Sequence, residues 1–315
     1  RGMGGGEAAV KAGRQAIMTP TSHCYFDYSY ESIPTEKALM FEPVPPGLTP
    51  AQEKLILGGQ GNVWTEWIPT ESRVQQMIFP RMLGLAEAFW SPRGSKNWEE
   101  FQPRLQVHQR ILRAAGISLM PSPPPAAPVN AILFDREGVL QMPTARAEDL
   151  PLRYTTGAQP LTTQSPILPK TIKSNKALDV TYGYVDANGA VSSLESLHFR
   201  PAQRVTLPSS EGWKLEIFKG DFSKVADFEK LKPVSTSFQM KIDLTQAPSE
   251  EFYGFKFSGV VQFEAGDYEF RLMSDDGSIF RVGGATAVNH DGLHAATEKL
   301  GRVRIPAGAF PVELL

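Results

Sequence analysis

Two short stretches pair an aromatic ring with a carboxylate two residues further on: Tyr25-Phe26-Asp27 and Trp64-Thr65-Glu66. On extended backbone, residues two apart share a face. A ring beside a carboxylate suits a sugar: the ring packs on the C–H face and the carboxylate accepts hydroxyl hydrogen bonds. Each pair taken alone also fits a core ring next to a solvated acid, because aromatic rings are often buried. Two such pairs at the ends of two expected strands make a stronger signal than either alone. A third candidate is Asp275-Asp276, inside Ser274-Asp275-Asp276-Gly277-Ser278. Adjacent carboxylates suit a hard cation such as Ca²⁺, and Asn289, His290 and Asp291 could add ligands. The other reading is a turn in which the Asp side chains bond the backbone ahead of Gly277.

Composition removes several chemistries. The chain has 315 residues, with 32 Lys+Arg against 34 Asp+Glu and a formal charge of −2. That balance gives no electrostatic footprint for nucleic acid or anionic lipid. No apolar run approaches the roughly 20 residues of a spanning helix. Cys24 is the single cysteine, so no internal disulfide can form, and one Cys with five scattered His builds no zinc cluster. Arg1 opens directly into a Gly-rich turn and Phe310 to Leu315 is an apolar run without a closing turn, so both ends look cut and the expectation is a piece of a longer protein.

The elements that must carry the first two pairs lie in residues 1 to about 119. Glu7 to Lys11 reads as a short helix stopped near Gly13, and Gln15 to Thr19 as a strand. A long Pro-rich loop from Tyr28 to Thr49 follows, then a helix over Ala51 to Leu55 capped by Thr49 with Pro50. The next strand runs into Trp64 and Glu66. Thr70 caps a helix whose stripe is Val74, Met77, Ile78, Met82, Leu85 and Phe89, kinked at Pro80. A second helix from about Trp98 to Ala115 is expected to bury Phe101, Leu105, His108, Ile111 and Leu112. Glu87 and His108 read as structural. The alternation suggests βα repeats with parallel strands, whose C-terminal ends carry the chemistry. About 120 residues cannot close an eight-stranded barrel, which needs about 250.

The ordered motifs Gly2…Gly5-Gly6…Gly13 (with Arg1 ahead of them), Tyr25-Phe26-Asp27-Tyr28, Glu42-Pro43, Gly59-Gln60-Gly61-Asn62-Val63-Trp64-Thr65-Glu66, Phe79-Pro80-Arg81 and Leu85-Ala86-Glu87-Ala88-Phe89-Trp90-Ser91-Pro92 resemble the last third of a family 20 glycoside hydrolase. The resemblance implies a β-N-acetylhexosaminidase on a (β/α)8 barrel, with Tyr25 and Asp27 ending the seventh strand and Trp64 and Glu66 the eighth. It implies substrate-assisted retaining hydrolysis of terminal N-acetyl-hexosamine from glycans, without a catalytic cofactor. Tyr25 would orient the acetamido oxygen, Trp64 would wall the sugar, and Asp27 and Glu66 would accept its hydroxyls. The family's Asp-Glu dipeptide, which supplies the general acid, has no counterpart in this sequence. The parent is therefore expected to be the enzyme, this piece to be inactive alone, and the source to be a bacterium with an extracellular or periplasmic product.

Beyond the Pro-rich linker 120–128, the helical period disappears. Strands are expected at Ile132–Phe134, Leu152–Thr155, Ile167–Ile172, Leu178–Val185 and Ser196–Phe199. Residues 129–205 resemble the small immunoglobulin-like β-sandwich that follows many hexosaminidase barrels. Residues 206–315, with Gly254-Phe255-Lys256-Phe257-Ser258-Gly259 and the Asp275-Asp276 turn, resemble a truncated protective-antigen-type antiparallel β-sandwich. In adhesins of that type a paired Asp binds Ca²⁺. The whole chain is thus expected to be multidomain, α/β (the last two strands and helices of a barrel) followed by all-β. The competing functional reading is a carbohydrate-binding or adhesion protein acting through the last β-sandwich.

Overall fold

A computed structural model describes residues 2–145, 150–244 and 252–315. Arg1, which heads the Gly-rich motif, lies outside the described residues. Two compact units divide the chain: residues 2–123 with Leu150 and Tyr184–Ser193, and a second unit from the rest.

The first unit contains α1 (Gly4–Lys11), β1 (Ala16–Met18), α2 (Thr21–Cys24), α3 (Thr35–Leu39), α4 (Pro50–Glu53), β2 (Ile56–Gly59), α5 (Glu71–Ile78), α6 (Arg81–Trp90) and α7 (Trp98–Ala114). β1 and β2 pair in parallel, as the βα alternation requires. Thr49 and Gln52 form a capping box on α4, and Thr70 accepts from the Arg73 N–H to start α5. Two expectations need correction. The kinked helix is two helices, because the Pro80 ring lacks the N–H that would continue α5. On α7, Phe101, Leu105 and Gln109 are buried, whereas His108 and Ile111 face solvent, so the buried stripe is offset from the expected one. The loop from Tyr28 to Thr49 also contains α3. A dense core of Met18, Cys24, Phe26, Ile33, Ala38, Phe41 and Leu85 lies behind the Tyr25–Asp27 turn. Each large apolar side chain there contributes about 1.5–3 kcal/mol by leaving water.

The second unit is nearly all strand: β3 (Ala131–Phe134), β4 (Gly138–Gln141), β5 (Leu152–Thr156), β6 (Thr171–Ser174), β7 (Leu178–Tyr184), β8 (Glu195–Pro201), β9 (Trp213–Lys219), β10 (Ser235–Gln239), β11 (Tyr253–Phe263), β12 (Gly266–Ser274), β13 (Ser278–Val282), β14 (Ala285–His290), β15 (Thr297–Ile305) and β16 (Gly308–Leu314), with one short helix, α8 (Val225–Phe228). One six-stranded sheet, in the order β10-β9-β11-β16-β13-β14, is antiparallel throughout. The other, β12-β15-β3-β8-β7-β5, is mixed. In it β3 runs parallel to both neighbours, β15 and β8, whereas β12–β15 and β7–β8 are antiparallel. Strands from 129–205 and from 206–315 therefore share a sheet. The burial of β3 explains its place: Ala131, Ile132, Leu133 and Phe134 are all buried, the pattern of a strand covered on both faces. Ala131 and Leu133 join Phe263, Val282, Val303, Ile305, Phe310 and Val312 in one core.

Candidate active-site segment

Past β1 the chain makes the single turn of α2 and rejoins the parallel pairing at Tyr25, which bridges Asn62. The Phe26 N–H donates to Asn62 O at 2.7 Å, and the Asn62 N–H donates to Cys24 O at 2.7 Å. Phe26 is fully buried in the core behind the turn. Tyr25 and Asp27, its neighbours on either side, are half-buried. The Tyr25 ring lies 6.0 Å from that of Tyr28, centroid to centroid. Oδ1 of Asp27 is buried and has no hydrogen-bond donor among the described residues. A buried carboxylate oxygen without a donor costs on the order of 1–3 kcal/mol, so it is held there against a penalty.

Arg81 stabilises this turn. Its side chain is fully buried at the start of α6. Nη2 donates to Phe26 O at 2.5 Å and Nη1 to Tyr28 O at 2.8 Å, so the two carbonyls flanking Asp27 share one guanidinium. Nη1 also reaches Ile33 O at 3.3 Å, and Nε donates to Met77 O at 3.0 Å. The Tyr30 ring lies 4.0 Å from the guanidinium carbon. Burial pulls the pKa of Arg81 down and pushes the Tyr30 phenol above its ordinary range. The Phe79-Pro80-Arg81 motif was visible in the sequence, but a charged residue opening an amphipathic helix gave no sign of being buried.

The glycines of the other pair have a packing reason. A Cβ on Gly59 would fall 2.3 Å from the Phe89 ring, and one on Gly61 would fall 2.8 Å from the Met82 methyl. Only bare backbone lets this stretch approach α6. The placement of Trp64 and Glu66 differs from the expected strand end. β2 stops at Gly59, and both residues lie in the loop beyond it, with Trp64 53% exposed and Glu66 exposed too. Among the described residues neither makes a side-chain hydrogen bond, ion pair or ring contact. The backbone bonds at Asn62 bring this loop's start beside Tyr25. Trp67 is 93% exposed. Glu87 bonds Arg104 at 2.5 Å, in keeping with a structural role.

Asp275 and Asp276 lie in the β12–β13 turn, both exposed. Asp276 has φ +69, and its N–H donates to His294 O at 3.1 Å. Its Oδ1 accepts the His294 N–H at 3.3 Å. Asp291, expected as a further ligand, accepts the Val225 N–H at 2.8 Å, and Asn289 accepts the Asp291 N–H. Among the described residues no three His, Cys, Asp or Glu side chains gather for a metal. Asp276 Oδ1, Asn289 Oδ1 and Asp291 Oδ1 each accept a backbone N–H in this turn. The turn reading describes this segment.

Comparison with known proteins agrees with the motifs. Residues 2–93 match the model of the glycosyl hydrolase family 20 catalytic domain. Residues 209–311 match the PA14 domain, the protective-antigen type. A β-hexosaminidase of Porphyromonas gingivalis is 27% identical over 252 residues, which are 73% of this chain and 32% of that protein. A β-N-acetylhexosaminidase of Cellulomonas fimi is 27% identical over 129 residues, 37% of this chain and 25% of that one. The solved family 20 β-N-acetylhexosaminidase of Streptomyces coelicolor is 25% identical, covering 36% of this chain and 25% of its own, with a TM-score of 0.32. The chain thus spans about a quarter to a third of the length of these curated relatives.

Proposed function

We propose that the intact protein is a β-N-acetylhexosaminidase that releases terminal N-acetyl-hexosamine from glycans, and that this chain supplies the last part of its catalytic barrel and the domains that follow. β1 and β2 would be the seventh and eighth strands of a (β/α)8 barrel ending near residue 119. A small immunoglobulin-like domain over 129–205 and the protective-antigen-type sandwich from 206 would follow the linker 120–128. The observation that carries the reading is the turn at Tyr25–Asp27, where one Asp27 oxygen is buried with no donor among the described residues and the half-buried Tyr25 ring lies 6.0 Å from that of Tyr28.

In this proposal the substrate's own acetamido oxygen attacks the anomeric carbon and the leaving oxygen takes a proton from the general acid. The Tyr25 hydroxyl donates to the acetamido oxygen and holds it in line, a proximity effect. Asp27 and Glu66 accept sugar hydroxyls, and Trp64 closes over the ring. Glu66 and Trp64, both exposed, would take these positions when sugar binds. No metal is assigned to the reaction. The general acid lies outside this chain, which has no Asp-Glu dipeptide, so these residues alone are expected to be inactive. The named relatives are hexosaminidases, which does not favour an adhesion protein working through the last sandwich.

The test is hydrolysis of nitrophenyl N-acetyl-β-glucosaminide by the full-length parent. Tyr25→Phe is expected to lower kcat at least about tenfold, equivalent to about 1.4 kcal/mol of transition-state stabilisation. A folded wild-type parent without turnover would overturn the proposal.

A further inference from the structure

We propose that Arg81 is a positioning residue for the sugar site, acting through Asp27; the assignment of Asp27 to sugar rests on the function proposed above. Among the described residues no carboxylate hydrogen-bonds the guanidinium. Its bonds go to main-chain carbonyls and the Met77 sulfur, and it lies over two rings, those of Phe26 and Tyr30. A buried cation needs compensating partners, and here the main-chain carbonyls of Phe26, Tyr28, Ile33 and Met77 lie within hydrogen-bond reach of it.

That arrangement separates two jobs that an ordinary ion pair would merge. Had Arg81 bonded Asp27 directly, it would have fixed the carboxylate but filled its acceptor positions. By gripping Phe26 O and Tyr28 O instead, it fixes the backbone on both sides of Asp27 and leaves Oδ1 without a donor. The forked geometry matters as much as the charge, because two different nitrogens reach the two carbonyls. A lysine ammonium in the same place is a single point donor on a flexible stem.

The discriminating experiment has two readouts. In the full-length parent, kcat/KM is measured for wild type, Arg81→Lys, Asp27→Asn and the double variant. Arg81→Lys is expected to lose at least about tenfold, and the double variant to fall no lower than Asp27→Asn alone, within about threefold. Independent losses that multiply, or full activity in Arg81→Lys, would overturn the inference. In the 315-residue chain, amide hydrogen exchange is compared for wild type and Arg81→Lys. Faster exchange confined to residues 26–33 supports the clamp; unchanged exchange, or a uniform rise across the first unit, overturns it. This second readout needs no turnover. A wild-type parent without activity therefore defeats the functional proposal, while the exchange result still decides whether Arg81 holds the turn.

Discussion

Asp27 and Asp276 are both carboxylates in turns, and they are held in opposite ways. The turn around Asp27 is fixed by others: Phe26 anchors it in the core, Asn62 pairs its backbone, and Arg81 grips the carbonyls on either side. The carboxylate itself does none of that work, and one of its oxygens is left buried and unbonded. Asp276 fixes its own turn. It accepts the His294 N–H, and its backbone takes a left-handed conformation that suits Asp and Gly. A side chain whose oxygen is spent on its own turn has less to offer a ligand. The comparison separates a carboxylate left without a donor from one tied into its own turn by asking who satisfies the backbone.

That contrast can be broken at either end. The largest expected effect is at the clamp. Arg81→Gln orphans several buried carbonyls and should destabilise the first unit by on the order of 3 kcal/mol or more, read from chemical denaturation; a loss near zero would mean the carbonyls find other donors. Next comes the support behind it. A Cβ on Gly84 would fall 2.8 Å from Thr35 O, so Gly84→Ala should wedge α6 from α3 and cost about 1–3 kcal/mol. The second turn should be far more tolerant. Asp276→Gly relieves the positive φ and is expected to stay within about 1 kcal/mol of wild type, whereas Asp276→Val should be clearly worse at the same exposed position.

The smallest expected effect is with pH. In the second unit, Arg281 hydrogen-bonds Glu229 and holds its carboxyl below the usual carboxylate range. Glu229 thus contributes stability that is present above its unfolded pKa of about 4.3 and lost as pH falls through the lower folded value. The pair is partly exposed, so the contribution is under about 1 kcal/mol. Glu229→Gln should flatten the acid limb of the second unit's stability by that amount. The Arg81 clamp uses carbonyls, which do not titrate, so its hold on the turn should persist through the same pH range in hydrogen-exchange measurements.

How much of this was legible in the sequence depended on range. Thr49, Thr70 and the stop near Gly13 were readable because a cap or a left-handed terminus is a local event. Tyr25 and Asp27 were readable as a pair because their separation survives the turn. Trp64 and Glu66 were misplaced because β2 ends at Gly59, and no local signal marks where a short parallel strand lets go. The parallel setting of β3 was hidden for a different reason. Its partners β8 and β15 lie far along the chain, and a four-residue apolar run fits a strand of either direction. Arg81 was invisible as a buried group because its partners are carbonyls, which every residue carries.

The most direct test of the account compares the two carboxylates in one assay. In the full-length parent, kcat/KM for an N-acetyl-β-glucosaminide is measured for Asp27→Asn and Asp276→Asn side by side. The account predicts a loss of at least about a hundredfold for Asp27→Asn, equivalent to about 2.7 kcal/mol, and a change within about twofold for Asp276→Asn. Comparable losses in the two variants, or an Asp27→Asn enzyme with wild-type efficiency, would contradict it.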